Sequence, residues 1–167
     1  MLDKLKKIAK YVIILERNTV IIMFYESDVE RSIIELLKDC GYSYMDDTNN
    51  WVVERKLDDF INEQLLLDQL SKINKGVKNR ILEEAIRTIK NIDHPSLFER
   101  NKIFHQYLVD GITIEDFESD VNPLIKLVDF KNIENNVFEV GNQIKFKELT
   151  NRSTRIPDVI IYINGIP

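Results

Sequence analysis

An α+β fold, with helices layered on a mixed β-sheet, is predicted by three features of this 167-residue sequence. Apolar residues recur at helical spacing from about residue 27 to residue 111. From about residue 112 the pattern changes to a period of two. Near the end, Val159-Ile-Ile-Tyr-Ile163 reads as a strand and closes on Asn164-Gly165, the strongest short-range signal for a two-residue hairpin turn. Helices followed by a sheet pack as layers, because each element has one apolar face to bury.

The first residues are set apart. Lys4, Lys6, Lys7 and Lys10 precede Tyr11-Val-Ile-Ile-Leu15, which superficially resembles a secretion signal. The apolar run is too short, and Glu16-Arg17-Asn18 interrupts it, so secretion and membrane spanning are both rejected. Residues 1–22 read as an N-terminal extension of uncertain structure. Residues 23–167 read as one domain, its helical part about 27–111 and its sheet part about 112–167.

Within that domain Ser27 and Glu30 form a capping-box pattern ahead of Val29, Ile33, Ile34, Leu36, Leu37 and Cys40, and Gly41 stops the helix. Leu57, Phe60, Ile61, Leu65, Leu66 and Leu70 form a second apolar stripe. Ile81, Leu82, Ala85, Ile86 and Ile89 form a third, broken at Asp93-His94-Pro95-Ser96. Ser96 is placed to cap a further helix from Leu97 to Val109, with Leu97, Phe104, Tyr107 and Leu108 inward and Gly111 beyond its end. Strands are expected over 124–130, 137–146 and 158–163, with Gly141 a bulge or close approach and the last strand covered on both faces.

Composition narrows the function classes. A hydrophobic content of 44% over this length suits one globular core. A lone cysteine excludes an internal disulfide, fits a cytoplasmic protein, and reads as a small core residue at position 40. One Cys and two separated His give no zinc-type cluster, and His105 reads as a packing or hydrogen-bonding residue. Trp51 reads as a packing residue on a loop, since Asp46 and Asp47 beside it oppose stacking on a nucleic-acid base. The net charge of −5 is not that of a DNA-coating protein. Lys126, Lys131, Lys145, Lys147, Arg152 and Arg155 nevertheless give the sheet region a mildly basic face, which is either a phosphate-holding surface or an ordinary solvated one.

The chemistry-bearing candidate is Asp158, after Pro157 at the head of the last strand. In a two-residue turn Ile163 faces Ile166 and Tyr162 faces Pro167, so the partner of Asp158 would fall about four positions past Pro167. A carboxylate there would lie about 5 Å across the ladder, and such a pair can share Mg²⁺. The alternative is an Asp satisfied by local backbone N–H groups. A strand, a turn and half a strand read as a fragment cut where a site was about to be completed.

Ordered stretches carry a resemblance: Glu26-Ser-Asp-Val-Glu30, Ile33-Ile-Glu-Leu-Leu, Gly41-Tyr42, Leu70-Ser-Lys-Ile-Asn74, Asn101-Lys-Ile-Phe-His-Gln-Tyr-Leu108 with Gly111, Leu127-Val-Asp-Phe130, Glu134-Asn-Asn-Val-Phe138, Asn142-Gln143, and Arg155-Ile-Pro-Asp158 through Asn164-Gly-Ile-Pro167. Together they resemble the N-terminal nuclease domain of the restriction (R) subunit of type I restriction–modification enzymes, from about Tyr25 onward. The resemblance implies a restriction-endonuclease-like core, incomplete at its C-terminus. In that family Pro-Asp opens a PD-(D/E)xK motif whose Glu-x-Lys follows on the next strand. It implies a DNA endonuclease in which Asp158 is catalytic and binds Mg²⁺, with methylation and specificity subunits as partners alongside double-stranded DNA. Arg152 and Arg155, in the basic stretch before Asp158, are the candidates for phosphate contacts to DNA. ATP would act only through helicase-like domains, and this chain has no G-x-x-x-x-G-K-[ST] loop. Related folds sometimes bring a glutamate from the first helix to the metal, but here capping is the favoured role for Glu30. The fragment alone is expected to be inactive, and its unpaired strand Val159–Ile163 to favour aggregation. Two rivals stand beside this reading: a non-catalytic docking module of the same fold, and a different metal-dependent phosphodiesterase.

Overall fold

The computed structural model describes residues 26–46, 48–148 and 153–167. The expectations for residues 1–22 and for Arg152 lie outside these. The fold is α+β. Helix α1 (Glu26–Asp39) leads into strand β1 (Ser43–Met45). Four helices follow: α2 (Asn50–Glu54), α3 (Glu63–Ile73), α4 (Asn79–Lys90) and α5 (Leu97–Asp110). Then come β2 (Ile112–Thr113), β3 (Leu124–Ile125), a 3₁₀ turn (Ile133–Asn135), β4 (Phe138–Asn142), β5 (Phe146–Lys147), β6 (Thr154–Arg155) and β7 (Val159–Ile163).

β4 is the middle of a three-stranded mixed sheet. β1 runs parallel to it, with Met45 opposite Gly141. β7 runs antiparallel to it, with Phe138 opposite Ile163 and Asn142 opposite Val159. The β5–β6 pair continues from the same end of that ladder, Phe146 opposite Arg155. Gly141 admits a close approach: a Cβ there would lie 2.5 Å from Cδ1 of Ile144.

Two cores hold the layers. In the larger, Leu66 and Leu70 of α3 pack with Ile81, Leu82, Ala85, Ile86 and Ile89 of α4, over Ile112, Ile125 and Leu127. The α4 stripe is the one expected from its spacing. In the smaller, Met45, Ile144, Phe146 and Tyr162 close one face of the sheet, with Trp51 edge-on to Tyr162 at 5.4 Å.

The hairpin forms as the register argument requires. Asn164 and Gly165 both take positive φ, 54° and 82°, as a type I′ turn demands. Ile163 and Ile166 exchange both backbone hydrogen bonds, at 2.8 and 2.9 Å. The turn is buried, with Asn62 N–H donating to the Gly165 carbonyl at 2.9 Å.

Several expectations are corrected. Leu57, Phe60 and Ile61 lie before α3, because Asn62 Oδ1 caps it by accepting from Leu65 N–H at 3.2 Å. Trp51 lies in α2, whose cap is Asn49. Cys40 is exposed. Helix α1 turns Glu30, Ile34 and Leu37 inward, half-buried, and leaves Val29, Ile33 and Leu36 exposed, so Cys40 falls on the outer side. Leu97 is 68% exposed at the outer end of α5, and His105 is exposed too. β7 is an edge of its sheet with Ile161 exposed, not a strand covered on both sides. Beside it lies an apolar groove of about 310 Å³ lined by Leu108, Val128, Phe130, Ile161, Ile163, Ile166 and Pro167.

Asp129 organises the turn that leads into β4. Its Oδ1 accepts from the Asn132 and Lys131 N–H groups, both at 3.0 Å, and its Oδ2 from Asn135 Nδ2 at 2.8 Å. The Asn132 backbone donor, then the Asn135 amide, hold this carboxyl at about 2, below its ordinary 3.8. A carboxylate depressed on folding stabilises the native state above its unfolded pKa, and that stabilisation is lost as pH falls through the folded one. Thermal melts between pH 5 and pH 2 should therefore show a loss of stability, with Asp129→Asn melting lower at pH 5 and flattening the profile below pH 4. An unchanged profile in the variant would remove Asp129 from the acid transition.

Candidate functional site

The C-terminal end of central strand β4 gathers side chains from four segments. Asn142, the last residue of β4, is flanked by β1 on one side and by Val159 of β7 on the other. Asp158 immediately precedes Val159 and is exposed. Past Asn142 the backbone breaks out of the sheet at Gln143, whose φ of 55° is left-handed although it is not a glycine. Its N–H donates to the Pro157 carbonyl at 3.1 Å, which fixes the break beside Asp158. Helix α1 lies against β4 and brings Glu30 to the same place.

The polar contacts form a chain. The Tyr44 hydroxyl donates to Asn142 Oδ1 at 2.5 Å. Asn142 Nδ2 donates to Glu30 Oε1 at 2.5 Å. Gln143 Nε2 donates both to Glu30 Oε2, at 3.4 Å, and to Asp158 Oδ1, at 3.3 Å. Two carboxylates brought together from residues 30 and 158 thus converge on one N–H-bearing nitrogen. A partial positive charge between hard oxygen donors is a stand-in for a small divalent cation, so the donor chemistry here fits Mg²⁺. Among the described residues no group of three or more His, Cys, Asp or Glu is placed to hold a metal.

A groove of about 330 Å³ opens next to this point, lined by Tyr44, Met45, Asp46, Val52, Asn142 and Gln143. Asp46 is occupied elsewhere: Thr48 donates its hydroxyl (2.6 Å) and its N–H (2.9 Å) to Oδ1, which lowers the Asp46 pKa.

Asp158 stands at the head of β7, and Gln143, which lines the groove, reaches its carboxylate at 3.3 Å. The capping role for Glu30 is corrected. Ser27 lies within α1, and the Glu30 carboxylate faces β4, engaged by two amides rather than by the Ser27 backbone. Arg155 is exposed on β6 with its Nε on the Glu148 carboxylate. Lys145 and Lys147 flank Phe146 on β5 and are exposed. Tyr44, Asn142 and Gln143 were not candidates from the sequence. Asn142-Gln143 stood out only within the resemblance, because neither residue titrates and each draws its meaning from contacts distant in the chain.

Comparison with known proteins identifies the family of the chain. Residues 23–167 match the family model described as the type I restriction enzyme R protein N terminus. The chain belongs to this family. Over 145 residues it is 32% identical to a protein of Methanocaldococcus jannaschii named for the MjaIXP type I restriction enzyme endonuclease subunit. It is 26% identical over 152 residues to the type I restriction enzyme HindI endonuclease subunit of Haemophilus influenzae. These alignments cover 83% and 87% of this chain but 14% of each relative, so the chain spans about one-seventh of their length. As an R-subunit N-terminal region it has, among the described residues, no helix long and apolar enough to cross a membrane.

Proposed function

We propose that this chain belongs to the N-terminal endonuclease domain of a type I restriction enzyme R subunit, and that Asp158 and Glu30 hold the Mg²⁺ needed for phosphodiester hydrolysis. The observation that carries the reading is the convergence of those two carboxylates on Gln143 Nε2 at the end of β4. Membership of the R-subunit family and relatives named as endonuclease subunits support it.

When bound, the metal would offset charge on the scissile phosphate and the leaving oxygen. The residues of the chain hold and orient. Asp158 offers carboxylate oxygen from the rigid head of β7. Glu30 offers it from α1, aimed by Asn142, which is itself oriented by the Tyr44 hydroxyl. By resemblance, a Glu and a Lys of the next strand complete the set, the Lys acting on the attacking water. The β5–β6 pair extends from the site with Lys145, Lys147 and Arg155 exposed, and together with Arg152 these supply phosphate contacts to double-stranded DNA. Arg155 would exchange Glu148 for a phosphate. Methylation and specificity subunits are the partners, the specificity subunit choosing the target, and ATP acts through other domains.

Glu30→Gln keeps the shape and removes the charge. Plasmid cleavage by the assembled enzyme carrying it should slow by about 100-fold or more, the scale of removing one charge-stabilising group from a catalytic site. A native rate would take α1 out of the site. The apolar groove beside the open edge of β7 favours a second reading, a docking module without catalysis. Restriction that survives loss of both carboxylates but fails with Ile161→Lys would support it.

A further inference from the structure

We infer that Asn142 and Gln143 form a two-part amide clamp on the cation site, in which Asn142 fixes the Glu30 carboxylate and Gln143 is a releasable donor that the cation displaces. The inference rests on reading Glu30 and Asp158 as cation ligands. The two neighbouring amides grip opposite oxygens of one carboxylate, yet their settings differ.

Asn142 is half-buried and the last residue of the central strand, and both ends of its amide are engaged. Its oxygen accepts from Tyr44 and its nitrogen donates to Glu30 Oε1, each at 2.5 Å. Turning this amide over would set its oxygen against the carboxylate, so its orientation is determined. Gln143 is exposed and lies outside the sheet, and its two hydrogen bonds, at 3.3 and 3.4 Å, are near the limit of what counts as one. An amide nitrogen has no lone pair to offer a metal. A cation drawn to Glu30 Oε2 and Asp158 Oδ1 needs the oxygens that this N–H now occupies, so the donor must leave. Without a cation, the same N–H separates two like charges.

The clamp predicts opposite signs for adjacent substitutions. Asn142→Ala frees Glu30 to turn away and weakens cation binding. Gln143→Ala removes a competitor and strengthens it. The measurement is Mn²⁺ titration of the chain followed by electron paramagnetic resonance, Mn²⁺ standing in for Mg²⁺ at an oxygen site. Gln143→Ala should bind roughly fivefold more tightly and Asn142→Ala roughly tenfold more weakly, the scale of one modest and one stronger hydrogen bond. If Asn142→Ala does not fold, Tyr44→Phe removes the hydroxyl that orients Asn142 and should weaken binding by about threefold. Weaker binding by Gln143→Ala, to the degree seen for Asp158→Asn, would make Gln143 a ligand through its oxygen and overturn the clamp. Unchanged binding by both Asn142→Ala and Tyr44→Phe would overturn it as well. If native protein and Asp158→Asn bind Mn²⁺ equally, the cation reading itself falls and takes the clamp with it.

Discussion

Replacing Asn164 with Ala is expected to lower the melting temperature by about 10 °C, the largest effect on stability foreseen for any polar residue described here. Asn164 is completely buried at the first position of the hairpin turn. Its Oδ1 accepts from Val137 N–H at 2.8 Å. Its Nδ2 donates to the Leu127 carbonyl and to Asn136 Oδ1, both at 2.9 Å. One side chain thereby ties the end of β7 to the segments entering β4 and leaving β3. Ala would take the partner from the Val137 N–H and from the Leu127 carbonyl, each costing about 1–3 kcal/mol, while Asn136 Oδ1 keeps the Asp129 N–H at 2.9 Å. It would also hold a left-handed φ of 54° that Asn tolerates better. The total is about 4 kcal/mol, and in a domain of this size each kcal/mol shifts the melting point by about 2–4 °C. Asn164→Gly relieves the backbone but loses the same hydrogen bonds, so a similar fall in Gly and Ala assigns the effect to the side chain. A change under about 2 °C in either would contradict the account.

The turn was legible because its code is local: two adjacent residues able to adopt positive φ, between apolar runs. The α4 stripe was legible for a like reason, since five apolar residues at helical spacing leave one face to bury. What failed was nonlocal or depended on which face was covered. Ser27-x-x-Glu30 fits a capping box on spacing, and only α1 packing against β4 takes the carboxylate to Asn142, 112 positions away. Cys40, just past the end of α1, and Leu97, at the start of α5, continue apolar-looking helix stripes whose inward face is narrower than their apolar residues suggest. Leu57 and Phe60 are apolar without being helical, and Phe60 instead stacks on Phe146 at 5.0 Å. Of the candidate site, Asp158 was readable from strand and turn register. The amides that surround it were not, because their roles arise from pairing β1, β4 and β7.

Asp158→Asn should have the largest effect on activity and almost none on the fold. Asp158 is exposed, and Gln143 Nε2 reaches its carboxylate only at 3.3 Å, so the neutral amide costs little stability. It also relieves repulsion with Glu30. A carboxylate that holds the metal is a different matter, since losing one charged oxygen ligand is worth about 4 kcal/mol of barrier, or about a thousandfold in rate. DNA affinity should change little, because binding draws on Lys and Arg contacts to phosphate rather than on this carboxylate.

The most direct measurement is Mg²⁺-dependent plasmid cleavage by the assembled restriction enzyme carrying Asp158→Asn in this subunit, run beside binding of the same DNA and a thermal melt. The account predicts that cleavage falls by about three orders of magnitude while binding and melting temperature stay native. Cleavage within about twofold of the native rate would contradict it.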